Sequence, residues 1–349
     1  IENGVNINQK DEKGNTPLIY AIQYGNKRIL KYLIDSGVNI NNEKNKNYES
    51  PLLLATLKGN ITIFRYIFEN IINKNHNKDD DFNSLLIIAI QNEKLNIIKF
   101  LIEKGVVNLN QEDKNGKIPL VIAIEYGKKF RLDMIKYLVN NGADINKSSN
   151  HYQFPLHVAS LKCDIEVIKY LIEHGANVNQ EDYEGKTALH IAISSSECKN
   201  FEKKINVIKY LIDKGIDVNK KDLYGNTPFI ININKNNSKC YLKIMEILKA
   251  NRIDENHKNI ILNQVNLFSA IQNNQLTIVN YLIDNGKSIN EENENGETPL
   301  FYALLCENVE MIKLLVDKGA NINKVNNHNE TPLLYAIKKK LKLKIIKYL

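Results

Sequence analysis

The sequence predicts an all-α solenoid in which every unit runs turn, helix, short loop, helix, extended segment. Three observations predict it. A three-residue anchor of the form Thr-Pro-Leu recurs ten times, starting at positions 16, 50, 84, 118, 154, 187, 227, 265, 298 and 331, so successive copies lie 33 to 40 residues apart. A period of that size marks a repeat architecture rather than a single layered core. Each anchor is followed by two apolar stripes of helical spacing. All seven prolines (17, 51, 119, 155, 228, 299 and 332) occupy the anchor's second position, where a helix's first turn has no partner for the N–H that proline lacks.

The first unit shows how each element is specified. Thr16 is a good N-cap, because its hydroxyl can accept a backbone N–H of the following turn. Leu18, Ala21 and Ile22 form one apolar stripe, and Ile29, Leu30, Leu33 and Ile34 form a second. All sixteen glycines fall into three positions of the repeat. Gly14, Gly116, Gly185, Gly225 and Gly296 precede the anchor by two residues. Gly25, Gly59 and Gly127 end a first helix, and Gly4, Gly37, Gly105, Gly142, Gly175, Gly215, Gly286 and Gly319 end a second, where a left-handed residue is expected. None is left to cradle a phosphate, which removes the P-loop and dinucleotide fingerprints. An Asp or Asn stands five residues before most anchors (Asp11, Asn45, Asp79, Asp113, Asp182, Asp222, Asn293, Asn326) and favours a local turn.

Composition sets the outer bounds. The chain is 43% apolar and 25% charged with a net charge of +7, ordinary for a folded protein and too dilute a charge to announce a nucleic-acid binder. No apolar run approaches the ~20 residues of a membrane helix. Cys163, Cys198, Cys240 and Cys306 are more than thirty residues apart, so they offer no zinc or redox spacing and fit a reducing compartment as small buried residues.

With these motifs assembled, "TPLIYAIQYGNKRILKYLIDSGVNIN" and its kin resemble the ankyrin repeat family over the whole chain. The resemblance implies stacked antiparallel helix pairs with short β-hairpin loops, one array over 1–349, and protein–protein interaction as the function. It also implies a histidine after the anchor that bonds the threonine; this survives only at His157 and His190, and the apolar Ile19, Leu53, Val121, Phe301 and Leu334 elsewhere predict that the bond is replaced by packing. Two stretches break the rhythm: Ser194–Asn206, and 230–265, where Arg252 replaces a helix-ending glycine and the anchor is reduced to Val265-Asn266-Leu267. The second predicts an irregular seam. The chain begins and ends inside a unit, which predicts a segment truncated mid-repeat at both ends.

No catalytic, cofactor or metal residue emerges. Of the seven histidines, His157 and His190 hold the structural motif position, His174 sits at a helix C-terminus, and no HExxH or CxxC supports a metal. Ser194-Ser195-Ser196 lacks a fixed base, and Asp79-Asp80-Asp81 lacks an EF-hand pattern. Lysines recurring in "IKYL" (Lys31, Lys99, Lys136, Lys169, Lys209, Lys313, Lys347) would line the second helices, but carboxylates interleave them, so a solvated exterior outweighs a nucleic-acid or membrane surface. "KKKLKLK" (Lys338–Lys344) is the densest basic patch.

The leading reading is therefore a non-catalytic scaffold, cytoplasmic or nuclear, whose preformed concave groove docks a folded protein partner. The alternatives are an arm of an enzyme whose catalytic domain lies elsewhere, and the basic surface. By the family's pattern, contacts fall on the tips (Glu12, Lys13, Asn15, Lys114, Asn115, His151, Tyr183, Glu184, Leu223, Tyr224, Glu294, His328) and on first-helix positions (Gln23, Tyr24, Gln91, Glu125, Tyr126, Leu161, Lys162). The tyrosines Tyr24, Tyr126, Tyr183 and Tyr224 lead, as large contacts at small rotamer cost. The resemblance further marks Asn41, Asn110, Asn146, Asn179, Asn219, Asn290 and Asn323 either as asparaginyl hydroxylation targets or as braces of their own turns.

Overall fold

The computed structural model describes residues 4–40, 50–72, 82–149, 153–234, 243–244, 246–248, 250–251 and 265–349. They divide into two compact units, Ile1–Tyr183 and Glu184–Leu349. Among the described residues the regular structure is helical; one isolated antiparallel bridge, Ser149 to Gln153, is the extent of the β-pairing.

In the first unit, first helices α1 (Pro17–Gln23), α3 (Pro51–Lys58), α5 (Phe82–Gln91), α7 (Pro119–Tyr126) and α9 (Pro155–Leu161) alternate with second helices. The second helices are α2 (Lys27–Asp35), α4 (Ile61–Ile72), α6 (Leu95–Glu103), α8 (Arg131–Asn140) and α10 (Ile165–Glu173). Each of these first helices packs on its own second helix, and α1, α3, α5 and α7 also pack on the next first helix. The second unit builds the same pairs from α11 (Ala188–Ser194), α12 (Phe201–Asp213) and α13 (Pro228–Asn234). It continues with α14 (Leu267–Gln272), α15 (Leu276–Asp284), α16 (Pro299–Leu305), α17 (Val309–Asp317), α18 (Pro332–Lys338) and α19 (Leu343–Ile346).

The apolar stripes are the core: Leu18, Ile22, Leu30 and Leu33 are buried in the first repeat, and equivalents such as Leu120, Leu189 and Leu300 are buried in later ones, whereas Leu333 and Ile337 in the last are exposed. An aromatic cluster fills the second and third repeats. The Phe68 ring lies 5.1 Å from Phe100, 5.2 Å from Phe82 and 6.0 Å from Phe64. Phe82 explains a departure from the sequence reading. Helix α5 begins at Phe82, so Ser84 lies inside the helix rather than capping it, because packing that half-buried ring against Phe68 extends the first turn.

Caps follow the anchor at most repeats: Thr16, Thr227 and Thr331 accept from the backbone N–H of Ile19, Ile230 and Leu334 at 3.2–3.4 Å, whereas the buried Thr298 hydroxyl, before Phe301, has no partner. At the degenerate anchor the cap moves one residue on, and Asn266 accepts from Phe268 N at 2.8 Å. Leu267 then keeps the buried leucine position, so the helix loses a residue but not its packing. Arg252 and residues 252–264 lie outside the described residues; Ile230, Ile244 and Leu248 within the irregular stretch are buried.

The turns joining the two helices correct a second expectation. Gly127 has φ −60° and ψ 138°, so it is not left-handed. It is required by close approach, since a Cβ there would lie 2.6 Å from the Ala123 carbonyl oxygen. Conversely, Glu93, Cys163, Asn274, Glu307 and Lys340 adopt φ between 50° and 57° at turns where Gly25 and Gly59 stand in the first two repeats. A non-glycine residue there is strained by roughly 1–2 kcal/mol. Lys340→Gly is therefore expected to raise the stability of the second unit by about 1 kcal/mol after glycine's own entropy is discounted, read as a higher urea midpoint; an unchanged or lower midpoint contradicts the strain.

Candidate protein-binding surface

The projecting loops are tight turns closed by one side chain. Asp11 Oδ1 accepts from Lys13 N at 2.9 Å and Asn15 N at 2.7 Å, and a backbone bond from Asp11 N to Asn15 O closes the ring. Asp113, Asp222, Asn293 and Asn326 repeat this arrangement, as their spacing predicts. Asn45 and Asp79 lie outside the described residues. Asn329 takes the left-handed position (φ 55°) that glycine holds in the other loops.

Four tips are tied to their first helices by a polar pair eight or nine residues apart. The Tyr20 hydroxyl donates to Asp11 Oδ2 at 2.6 Å, which holds the Asp11 carboxyl below its usual range. Lys117 pairs with Glu125 at 2.5 Å, the Asn293 amide donates to the Tyr302 hydroxyl at 3.2 Å, and Lys338 pairs with Glu330 at 2.5 Å, lowering that carboxyl too. The sequence reading missed these pairs; their signal is a complementary polar residue at i+8 or i+9, a separation that means nothing until the loop is known to fold back.

The named tyrosines rest on this frame. Tyr24 is 80% exposed and stacks at 6.1 Å on Tyr20; Tyr126 is 44% exposed with the Lys117 ammonium 5.7 Å over its ring. Tyr183 and Tyr224 are 55% and 70% exposed at their tips, with Leu223 exposed beside Tyr224. Glu12, Lys13, Lys114, Asn115, Glu294 and His328 are exposed as expected. Asn15 is not: it is buried with its amide turned to Asp11. His151 lies outside the described residues, as do His76, His257 and the Asp79–Asp81 run.

Between the third first-helix and the fourth tip lies a groove of about 280 Å³, lined by Asn83, Ile87, Ile88, Gln91, Gln111 and Asp113 among others. Ile87 and Ile88 belong to the apolar run 85–90, which carries no sign of a groove in sequence. Asn83 stiffens its wall, donating to Gln111 Oε1 at 2.6 Å and accepting from Asn108 N at 2.8 Å.

Asn110, Asn146 and Asn290 brace the neighbouring repeat rather than their own turn. Asn110 Oδ1 accepts from Asp144 N at 2.8 Å and its amide donates to Gly142 O at 3.0 Å; Asn146 does the same with Asn177 N and Gly175 O. Asn290 Oδ1 accepts from Asn321 N. Asn41 lies outside the described residues.

The remaining candidates have structural partners. His190 Nδ1 accepts from Thr187 N at 3.1 Å, and its Nε2 meets Asn226 O at 3.3 Å. His157 Nε2 meets Gln180 O at 3.1 Å, but Phe154 stands where the threonine would be, so no anchor hydroxyl is present. His174 Nδ1 lies 2.8 Å from Tyr170 O. Ser195 Oγ accepts from Glu197 N and Cys198 N, and Lys204 donates to Ser195 O at 2.7 Å, so the irregular stretch is a short connection, 195–200, pinned within itself and to α12, which already begins at Phe201. Cys163 is buried but disulfide-bonded, not the free buried thiol its isolation in sequence suggested, and Cys306 is an exposed thiol, because it caps α16 at the surface. The "IKYL" lysines engage the next repeat: Lys99, Lys136 and Lys313 lie 4.8–6.0 Å over the rings of Tyr137, Tyr170 and Tyr348. Among the described residues no three His, Cys, Asp or Glu side chains stand close enough to share a metal ion, and no helix is long and apolar enough to cross a membrane.

Compared with curated proteins, the chain has no sequence match. Among solved structures it is similar to the crystal structure of the ankyrin repeat domain of Bcl-3, described as a unique member of the IkappaB protein family. The TM-score is 0.54 and the identity 21%, over 68% of this chain and all of that one, a likeness of fold. The model of ankyrin repeats in three copies matches residues 1–80, 71–149, 131–222 and 267–349. Tips closed by an Asx residue, helix pairs stacked in register and a sequence match over most of the chain place this protein in the ankyrin repeat family.

Proposed function

We propose that the chain is a non-catalytic scaffold that binds a folded protein partner through its tips and first helices. Ankyrin repeats generally mediate protein–protein interaction. The observation that carries the finer reading is the set of exposed tyrosines, two of them at the ends of first helices that are braced to their tips: Tyr24 through Tyr20 and Asp11, Tyr126 through Lys117 and Glu125. A preformed surface of this kind loses little freedom on docking, and exposed tyrosine is favoured among residues that dominate binding energy. The groove beside Ile88 and Gln91 continues the same face.

A photoreactive phenylalanine analogue placed at Tyr24, Tyr126, Tyr183 or Tyr224 is expected to capture the partner in cells, while the same analogue at Lys99 or Lys136 on the second helices is not. Changing the four tyrosines to alanine is expected to weaken the captured complex by about 2 kcal/mol or more, with helix content unchanged. Equal capture from the second helices, or undiminished affinity of the tyrosine variant, rejects the surface.

A further inference from the structure

The turns between first and second helices form an edge of the first unit whose lysines at 27, 58, 94, 128 and 129 none of these roles uses. Neighbouring turns touch in sequence order. A Cβ at Gly25 would lie 3.8 Å from the Asn60 amide, and one at Gly59 would lie 2.8 Å from Lys94 Cδ. Glu93 in turn accepts from the backbone N–H of Lys128 and, at 3.3 Å, of Phe130. Lys27, Lys58, Lys94, Lys128 and Lys129 stand along this edge, and among the described residues none has a carboxylate within ion-pair distance. The acids in these turns are engaged elsewhere: Glu93 holds backbone, and Asp164 holds Arg131 at 2.5 Å. Asp133, in the first turn of α8, is the exposed carboxylate that follows Lys129 in sequence. Elsewhere in this unit Lys117 pairs with Glu125, and Lys99 and Lys136 cover tyrosine rings.

The edge is most developed where the repeat lengthens. The anchors at 118 and 154 are 36 residues apart against 34 for the three preceding intervals, and the turn after α7 holds Lys128, Lys129 and Phe130 side by side. Glu93 fixes that turn from the preceding repeat.

We propose that this edge is a second docking surface, for an extended acidic polypeptide segment with a carboxylate at about every third residue. Helices pack 8–10 Å apart and an extended chain advances about 3.3 Å per residue, so one lysine per repeat matches one acid in three. An anionic bilayer fits less well. The Phe130 ring is 38% exposed with the Lys129 ammonium 5.1 Å over it, so the apolar group available for insertion is already covered, and stable adsorption needs a second anchor beside the charges.

The test is fluorescence anisotropy of the full chain with a labelled dodecapeptide carrying glutamate at every third position, glycine and serine between. A peptide of the same composition with its glutamates contiguous, and vesicles of phosphatidylserine in phosphatidylcholine, run beside it. The spaced peptide is expected to bind best, to weaken as salt rises, and to lose about tenfold in affinity in the Lys128→Gln/Lys129→Gln variant. The Lys99→Gln/Lys136→Gln variant, with the same net charge, is expected to bind as the parent does; both variants are checked by circular dichroism. Absence of peptide binding, equal loss in the two variants, no preference for the spaced peptide, or binding to vesicles but not to peptide each overturns the proposal.

Discussion

Replacing Phe68 by alanine is expected to destabilise the first unit by about 3–5 kcal/mol, the range for emptying a buried phenylalanine site. Phe68 is fully buried and its ring meets three others, from its own helix (Phe64), the next first helix (Phe82) and the next second helix (Phe100). The cavity would open at the joint between the second and third repeats. In a linear array each repeat is held only by its neighbours, so the loss falls on one interface rather than being shared by a common core. The expected record is a lower urea midpoint with helix signal lost first from the first unit. Phe68→Leu, which keeps most of the volume, is expected to cost about 1–2 kcal/mol. Equal effects of alanine and leucine would show that the site collapses around the smaller residue.

His190→Ala is expected to cost about 2–4 kcal/mol, by a different route. His190 and Thr187 are both fully buried, and the imidazole is the acceptor for Thr187 N and the partner of Asn226 O in the following tip. Removing it leaves a buried N–H without its acceptor, which costs about 1–3 kcal/mol, and opens a cavity besides. His190→Leu fills the space but not the bonds, so its deficit measures the polar part alone. At the equivalent position Ile19 is buried with no such network, its N–H already bonded to Thr16. Ile19→Leu is accordingly expected to be nearly neutral, and urea midpoints of the three variants check the ordering. A leucine at 190 as stable as histidine would remove the network's claim.

What the sequence made legible were features repeated often enough to be read against each other. Eight of the ten anchors fix the helix starts, and Asx residues five positions earlier fix the tips; Asp11, Asp113, Asp222, Asn293 and Asn326 fold as expected. Exceptions were hidden because each is decided by a contact from another repeat. Phe82 lengthens its helix because Phe68 waits across the interface. Glu93 adopts a left-handed backbone while its carboxylate holds the next turn, a combination glycine cannot supply. Gly127 is needed for proximity to Ala123 and Arg131, which composition cannot distinguish from positive φ. The site divides likewise: exposure of the four tyrosines was legible from repeat position, whereas the pairs that brace Tyr24 and Tyr126, and the groove beside Ile88, depend on how far each loop folds back.

The asparagine braces bear on how the chain reaches its structure. The bonds from Asn8 to Asn39, Asn110 to Asp144, Asn146 to Asn177 and Asn290 to Asn321 close intervals of 31 or 34 residues, whatever their place in the chain. Entropy lost on closing a loop grows only with the logarithm of its length, and here that length is constant at about a tenth of the chain. Adding the last repeat therefore meets the same barrier as adding the second, and a chain of this size can fold with the contact order of a small helical domain.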